Sequence, residues 1–324
     1  MQTPLPPMRE QAHVLPNGTA GQLLRIPSAN PRHYEDIMAG QSQSAVDLDA
    51  TLYLPGSTQP SPAVIIIPGS GGVNIWMLHH AQALVGAGIA VLVVDPFTPR
   101  GVVNTIAVQQ QFSFAASTFD VFAAVQYLRQ HSAISGQRIG AMGYSRGGTA
   151  VLQAAMAQLH RHALGGRAAP NAVLAAWPWC GYQFSQPDTA GVRVRMLAAD
   201  KDNWASSIQT QAYFAAIQAT LPSDAPAATF RLFKDALHGF GYGAPKTEFP
   251  DAMVALNAPI LYFDPQGVLQ DPWSGAALPG ADDHQIRQMF LPFISRGVTI
   301  GSQGTQMADF MKDAVIFFSE SLHA

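Results

Sequence analysis

The chain has 324 residues, of which 48% are hydrophobic and 12% are charged, and its formal net charge is −3. This apolar content is enough for a sizeable core, while the absence of a basic run argues against nucleic acid or an anionic membrane as a partner. The single cysteine, Cys180, excludes an internal disulfide framework, and no apolar run is long enough to span a bilayer. We therefore expect a cytoplasmic protein, or a periplasmic or secreted one if a signal peptide preceded Met1.

The first part of the chain predicts an arm followed by two opening strands. Residues 1–21 are rich in proline and carry no regular pattern, so we expect them to lie as an arm on the surface. Strands are predicted at 23–26 and 45–54. The second alternates apolar and polar residues in part, which suits the exposed edge of a sheet.

The middle of the chain alternates apolar strands with helical stretches, which predicts a mostly parallel central sheet with helices on both faces. The predicted strands are 63–67, 89–94, 139–142, 172–176, 192–198 and 229–233, and the predicted helices are 76–85, 109–129, 149–159 and 208–219. The pattern is lost at 250–297, where Pro, Gly and Asp are frequent. We expect an irregular excursion there, either near the site or packed on the sheet edge. An amphipathic helix at 308–322 closes the chain.

The stretch R-I-G-A-M-G-Y-S-R-G-G-T-A contains the pattern G-x-S-x-G, formed by Gly143, Ser145 and Gly147. It lies between the predicted strand 139–142 and the predicted helix 149–159, so the serine lies on a sharp turn where the glycines allow close backbone approach. The helix N-terminus directs free N–H groups at the place where negative charge would develop. In this context the sequence resembles the nucleophile elbow of α/β-hydrolases. The alternative is an ordinary strand–turn–helix with a surface serine.

A serine nucleophile needs a general base, and the base needs an acid that orients it. His238 is the best candidate base among the ten histidines, because it follows the predicted strand 229–233 and precedes Gly239 and Phe240. Catalytic groups gather at the carboxyl ends of parallel strands. We therefore expect His238 to activate Ser145. No pair of histidines has the spacing of zinc ligands with an acidic partner, so we expect neither a metal nor another cofactor.

Four aspartates are candidates for the orienting acid: Asp188, Asp200, Asp202 and Asp235. Asp235 is too near the histidine in sequence, and Asp188 lies before the strand 192–198, at its wrong end. The resemblance implies that the acid is the fourth residue of a small-x-x-Asp turn, which is Asp202. Asp200 is then expected to accept backbone N–H groups within the turn.

The oxyanion of an acyl-transfer reaction needs two backbone N–H donors. One is expected from Arg146, the residue after the nucleophile. The other is expected from the loop P-G-S-G-G that follows the strand 63–67. There the resemblance implies Ser70, with Gly71 as the alternative. The loop lacks the Gly-Lys-Ser/Thr of a phosphate-binding P-loop, which argues against a phosphate cradle.

Five motifs occur in order along the chain: P-G-S-G-G, V-D-P-F-x-x-R-G, G-Y-S-R-G-G, A-D-K-D-N-W and H-G-F. Over residues 45–240 and the closing helix, the sequence is similar to dienelactone hydrolases and related carboxylesterases. It departs from the true dienelactone hydrolases, whose elbow carries cysteine where this chain has Ser145, so dienelactone activity itself does not follow. The resemblance implies an α/β-hydrolase fold, and we expect residues 1–324 to form one domain.

Several further residues near the predicted strand ends are candidates for a substrate pocket, with burial in the core as the alternative for the aromatic ones. The predicted pocket residues are Gly71, Tyr144, Trp177, Trp179, Trp204 and Phe240. Asp95 and Arg100 are expected to hold the loop that carries them, with substrate contact as the alternative. His79 and His80 are expected on a helix face, with the pocket as the alternative.

These predictions together indicate a serine hydrolase that cleaves small carboxylic esters through an acyl-enzyme, without a cofactor. Two alternatives remain open. One is a peptidase or amidase similar to the catalytic domains of prolyl oligopeptidases, although the chain lacks the large N-terminal gating domain that those enzymes carry. The other is a scaffold of the same fold that binds a small ligand without turnover. The sequence does not determine the oligomeric state.

Overall fold

The computed structural model describes residues 13–40, 44–226, 228–281 and 283–322. The predicted arm at 1–21 therefore lies largely outside the described residues. The strands, in chain order, are β1 (Gln22–Ala29), β2 (Ala45–Tyr53), β3 (Ser61–Ile67), β4 (Ala90–Asp95), β5 (Ile134–Tyr144), β6 (Ala172–Ala176), β7 (Tyr182–Phe184), β8 (Arg193–Ala199), β9 (Thr229–Phe233), β10 (Thr247–Val254), β11 (Leu261–Phe263), β12 (Leu269–Gln270), β13 (Ala277–Leu278) and β14 (Ser295–Ile300).

Eight of these strands form the central sheet, in the order β1-β2-β4-β3-β5-β6-β8-β9. Every neighbouring pair from β4 to β9 is parallel, while β2 runs antiparallel to both β1 and β4. The mostly parallel sheet that the alternating pattern predicts is therefore observed. Its inner strands are buried on both faces, as β3 shows: all seven of its residues are buried.

Helices cover both faces of this sheet. They are α1 (Tyr34–Met38), α2 (Ile75–Gly86), α3 (Phe114–Gln130), α4 (Arg146–Ala154), α5 (Ala157–His160), α6 (Ser207–Thr220), α7 (Asp283–Phe290) and α8 (Gln306–Leu322). Ile65 of β3 packs in the core on the side of α3 and α4, and its neighbours Val64 and Ile66 pack on the side of α2 and α8. None of the described helices combines the length and the apolar character needed to cross a membrane.

Two predicted helices differ from the observed ones. The helix predicted at 109–129 begins only at Phe114, because Ser113 is extended and its side chain accepts the N–H of Ala116 as an N-cap. Residues 109–111 form a separate 3₁₀ turn. The helix predicted at 149–159 begins earlier, at Arg146, and ends at Ala154. The chain is extended at Met156 before the short α5 follows.

The excursion predicted at 250–297 contains more regular structure than expected, in short strands and one helix separated by loops. β10 pairs antiparallel with β14, and a second small sheet joins β7, β11, β12 and β13. The strands are short, and the register of β10 shifts between Phe249 and Met253. Such short, interrupted strands leave too few alternating positions to be recognised in the sequence. Of the two predicted locations, the structure shows the one near the site.

A buried ion pair joins three separate parts of the chain. The guanidinium of Arg100 donates two hydrogen bonds to the carboxylate of Asp120 in α3, at 2.8 and 2.9 Å. Ser28 of β1 donates a third to the same carboxylate, at 2.6 Å. Asp95 accepts the N–H groups of Phe97 and Thr98. Asp95 and Arg100 thus hold their loop, as the sequence predicts.

His80 of α2 lies in the core and not on an exposed helix face. Its Nε2 lies 2.8 Å from the carbonyl oxygen of Gly241, and its Nδ1 lies 2.6 Å from the hydroxyl of Tyr144. A carbonyl only accepts, so Nε2 carries the proton, and Nδ1 accepts from Tyr144. Burial lowers the pKa of His80 to about 3, which keeps the ring neutral.

We expect Asp120→Ala to lower the free energy of unfolding by about 3–5 kcal/mol, because it leaves the buried charge of Arg100 without its partner. Urea unfolding followed by circular dichroism measures this loss. Asp47→Ala is the matched control, since Asp47 pairs with Arg25 at 3.9 Å and both side chains are more than half exposed. It should cost less than about 1 kcal/mol. Equal losses in the two variants would contradict a structural role for the buried pair.

We expect acid to destabilise the protein through His80. Its pKa in the folded state, about 3, lies below the usual value of about 6.5, so its contribution to stability is complete above pH 6.5 and is lost as the pH falls towards 3. The full loss is about 5 kcal/mol. His80→Gln removes the titrating group, so the free energy of unfolding should depend less steeply on pH below 6.5.

Urea unfolding between pH 7 and pH 4 measures this dependence. His162→Gln is the control, because His162 is exposed. It should keep the wild-type slope. His160, whose pKa burial also lowers, remains in both variants and does not affect the comparison. A wild-type slope in His80→Gln would show that this ring is not the acid-sensitive group.

Candidate active site

The turn between β5 and α4 brings backbone segments into unusually close contact. Ser145 has φ 52° and ψ −115°, a conformation that non-glycine residues rarely adopt. A Cβ atom on Gly143 would lie 2.0 Å from the carbonyl oxygen of Gly147, and one on Gly147 would lie 2.4 Å from that of Ile67. Neither glycine can therefore carry a side chain. The turn has the strained geometry of a nucleophile elbow.

His238 and Asp202 form a buried pair at the carboxyl ends of β9 and β8. The Nδ1 atom of His238 lies 2.8 Å from Oδ2 of Asp202, and their side chains are 4% and 2% exposed. Oδ1 of Asp202 accepts the N–H groups of Trp204 and Ala205, both at 2.8 Å. These two bonds orient the carboxylate. Since a carboxylate accepts, Nδ1 carries the ring proton, and Nε2 is left free to accept one.

The other three candidate aspartates have different surroundings. Asp200 accepts the N–H of Ala236 at 3.3 Å, and Asp188 accepts that of Ala190 at 2.7 Å. Asp235 adopts a left-handed backbone conformation, with φ 52°. The structure thus has Asp202, and not Asp200, on the histidine ring.

The loop after β3 meets the elbow and the segment that follows His238. A Cβ atom on Gly69 would lie 3.4 Å from Cβ of Ser145 and 3.6 Å from the hydroxyl of Tyr242. Ser70 is 4% exposed, and Arg146 opens α4, where the first N–H groups have no partner within the helix. Ser70 thus lies in the loop that approaches Ser145, and Arg146 follows Ser145 directly.

A cavity of about 100 Å³ opens beside Ser145, Ser70 and Arg146. Its wall is mainly apolar, and the aromatic residues in it are Tyr34, Phe112, Phe114, Trp179, Tyr182, Trp204 and Phe290. Within the part of the chain that the structure describes, no aspartate or glutamate lines it. Two arginines, Arg32 and Arg146, also line it, so the wall combines an apolar surface with positive charge beside Ser145.

Only two of the six predicted pocket residues, Trp179 and Trp204, line this cavity. Tyr144, Trp177 and Phe240 are buried in the core on the side of α8 instead. The side chain of Tyr144 points away because successive strand residues face opposite sides of the sheet. The Trp177 ring packs 4.8 Å from that of Phe240. Gly71 is exposed and lies outside the cavity wall.

Several residues that line the cavity are missing from the sequence predictions. Gln109, Phe112 and Phe114 lie where a continuous helix is predicted. Phe290 and Ile294 belong to the stretch predicted to be irregular. The apolar residues within that Pro- and Gly-rich stretch are the signal that points to a covering segment.

Comparison with known proteins gives a family match over most of the sheet. The model of the dienelactone hydrolase family matches residues 48–257. This range includes Ser145, Asp202 and His238.

Individual relatives match shorter stretches. A probable 2-oxo-3-(5-oxofuran-2-ylidene)propanoate lactonase from Bradyrhizobium sp is 33% identical over 123 residues, which are 36% of this chain and 49% of that protein. The mitochondrial acyl-coenzyme A thioesterase 2 of Mus musculus is 32% identical over 99 residues, or 31% of this chain and 20% of that protein. The chain thus spans about half the length of the lactonase and a fifth of that of the thioesterase.

Among solved structures, a dienelactone hydrolase-like promiscuous phosphotriesterase, P91 from metagenomic libraries, superposes with a TM-score of 0.57 at 15% identity. The match covers 93% of this chain and 98% of that one. At this identity the likeness concerns the fold, and it confirms the predicted α/β-hydrolase fold. With the family match over residues 48–257, it follows that the chain belongs to the dienelactone hydrolase family.

Proposed function

We propose that this protein is a serine hydrolase that cleaves carboxylic esters through an acyl-enzyme, with Ser145, His238 and Asp202 as its catalytic triad. The observation that carries the proposal is the 2.8 Å contact between His238 Nδ1 and Asp202 Oδ2, buried at the sheet edge that also carries the strained Ser145. Membership of a hydrolase family supports it.

In the proposed reaction, Ser145 Oγ attacks the ester carbonyl while its proton passes to Nε2 of His238. The N–H groups of Ser70 and Arg146 donate to the oxyanion that forms. The C–O bond then breaks, the imidazolium returns its proton to the leaving alcohol, and the acyl group stays on Ser145. A water molecule, deprotonated by His238, releases the acid in the same way. This route uses no cofactor.

Asp202 has two roles in this proposal. Its carboxylate keeps the proton of His238 on Nδ1, so that Nε2 faces the serine as an acceptor, and it stabilises the imidazolium that forms. The N–H groups of Trp204 and Ala205 hold the carboxylate still, which limits the reorganisation needed during the reaction.

The cavity beside Ser145 is the proposed site for the acyl group. Its aromatic wall favours a small apolar or aromatic acyl group. Lactones and thioesters, named for two relatives, undergo the same acyl transfer to a serine. The peptidase or amidase alternative and the non-catalytic scaffold are distinguished by the experiment that follows.

We expect Ser145→Ala to leave the fold intact and to reduce ester turnover by several orders of magnitude, as loss of a triad nucleophile does. A fluorophosphonate probe should label the wild type and not the variant. Turnover of p-nitrophenyl esters of increasing acyl length, a γ-lactone, an acyl thioester and a p-nitroanilide identifies the substrate class.

The expected result is fast hydrolysis of short-chain esters and little hydrolysis of the anilide. A faster reaction with the anilide would favour the amidase. The scaffold would be favoured by wild-type protein that is not labelled and turns over none of these compounds. Near-native ester turnover by Ser145→Ala would contradict the assignment of Ser145 as the nucleophile.

We expect Asp202→Asn to reduce ester turnover by about three to four orders of magnitude, because the amide favours the wrong tautomer of His238. Asp200→Asn is the matched control. Asp200 bonds the Ala236 N–H and lies 3.9 Å from Lys234, so its substitution should cost roughly 1 kcal/mol of stability and little activity. Steady-state kinetics of both variants measure the loss of turnover, and urea unfolding measures the loss of stability. The opposite kinetic ranking would assign the acid to Asp200.

A further inference from the structure

The two proposed oxyanion donors belong to different elements of the fold. Ser70 lies in the loop after β3, and Arg146 opens α4 after β5. Both N–H groups must lie about 2.7–3.1 Å from the oxyanion at the same moment. Their separation therefore depends on whatever joins the loop to the start of the helix.

Gln109, on the 3₁₀ turn before α3, contacts both of these residues. Its side-chain Nε2 lies 3.0 Å from the hydroxyl of Ser70, and its Oε1 lies 3.2 Å from the same hydroxyl. Its main-chain carbonyl accepts a hydrogen bond from Nη1 of Arg146 at 2.8 Å. One residue thus reaches Ser70 through its side chain and Arg146 through its backbone.

The guanidinium of Arg146 is itself held firmly by the same segment of chain. It lies 4.5 Å from the ring centre of Phe112 and 4.2 Å from that of Phe114. Its Nη2 donates to the carbonyls of Phe112 and Ser113, at 2.6 and 3.1 Å. Arg146 is only 2% exposed. Its hydrogen bonds tie the turn at Gln109 directly to the start of α4.

The loop after β3 is joined to the same segment by a second contact, besides that of the Gln109 side chain. The carbonyl of Ser70 accepts the N–H of Thr105 at 2.8 Å. The backbone just after the proposed Ser70 N–H donor is therefore bonded to the chain that leads to Gln109. Thr105 is fully buried, and its hydroxyl lies 3.5 Å from Oε1 of Gln109. Residues 105–109 therefore bridge the loop after β3 and the first turn of α4.

We propose that Gln109 is a positioning residue that sets the separation of the two oxyanion donors, and so stabilises the transition state without touching the substrate's reacting atoms. The proposal rests on the proposed function. A small displacement of either N–H weakens hydrogen bonds that reach full strength only in the transition state. Loss of the Gln109 side chain should therefore lower kcat and leave KM nearly unchanged.

The chemistry of the position favours an amide over a carboxylate. The amide nitrogen donates to Ser70, while the amide oxygen faces donors, Thr105 Oγ1 and Arg146 Nη1, each at 3.5 Å. A carboxylate here could only accept from the Ser70 hydroxyl, and it would bring negative charge close to the developing oxyanion. Gln109→Glu should accordingly be less active than the neutral variant Gln109→Met.

The test is a double-mutant cycle with Gln109→Met and Ser70→Ala. Ser70→Ala removes the hydroxyl that Gln109 binds but keeps the peptide N–H. We expect each single variant to lose about 10-fold or more in kcat on a p-nitrophenyl ester, with KM within about twofold. The kcat of the double variant should be no lower than that of the less active single variant, because the two substitutions remove the same hydrogen bond. The affinity for a phenylboronic acid, which forms a tetrahedral adduct on serine, should fall in parallel with kcat/KM.

Gln111→Met is the matched control. Gln111 is exposed on the same 3₁₀ turn, and its side chain donates to the carbonyls of Asn104 and Val108. It should keep kcat within about twofold of the wild type, and circular dichroism should show all variants folded. Additive losses, a change in KM alone, or wild-type kcat in Gln109→Met would overturn the positioning role. Because Ser145→Ala is assayed in parallel, those results stay distinct from failure of the serine mechanism itself.

Discussion

The close contact between the elbow and β3 is the constraint on which the site depends. With 2.4 Å between a Cβ on Gly147 and the carbonyl oxygen of Ile67, the first turn of α4 can lie against the end of β3 only without a side chain at that position. This approach places the start of α4 against the end of β3 and Pro68, just before the loop that carries Ser70. Ser145, between Gly143 and Gly147, has a strained φ of 52°. The stability of the surrounding sheet, buried on both faces, maintains that strain.

Segments outside the central sheet complete the site by joining its loops to one another. The indole of Trp204 donates to the carbonyl of Met253, and the N–H of Met253 donates to the carbonyl of Ile106, both at 2.9 Å. The N–H of Gly301, after β14, donates to the carbonyl of His238 at 3.0 Å. The β10–β14 pair thus links the acid loop, the histidine loop and the segment that carries Gln109.

The sequence predicted the parts of the molecule that local patterns determine. Continuous apolar runs fix β3 and β4, and the glycines around Ser145 fix the elbow, because each feature depends on a few neighbouring residues. The contact of His238 with Asp202 rather than Asp200 followed from the family resemblance, which implies that the acid is the fourth residue of a small-x-x-Asp turn. The pocket did not follow, since burial of an aromatic residue such as Trp177 depends on which elements pack over it. Short strands such as β11 carry too little periodicity to reveal those elements.

Two buried polar side chains hold the elbow from opposite faces of the sheet, and they differ in charge for a physical reason. On one face, His80 is neutral and bonds Tyr144, the residue before Ser145. On the other, burial lowers the pKa of Arg146 to about 9, so it remains a cation at neutral pH. Aromatic faces and three carbonyl groups compensate for its lost hydration. Apolar side chains of similar volume would fill these spaces, but they would not fix the direction in which the groups of the elbow point. Hydrogen bonds do fix direction, and the proposed mechanism requires that the elbow aim the Ser145 hydroxyl and the Arg146 N–H.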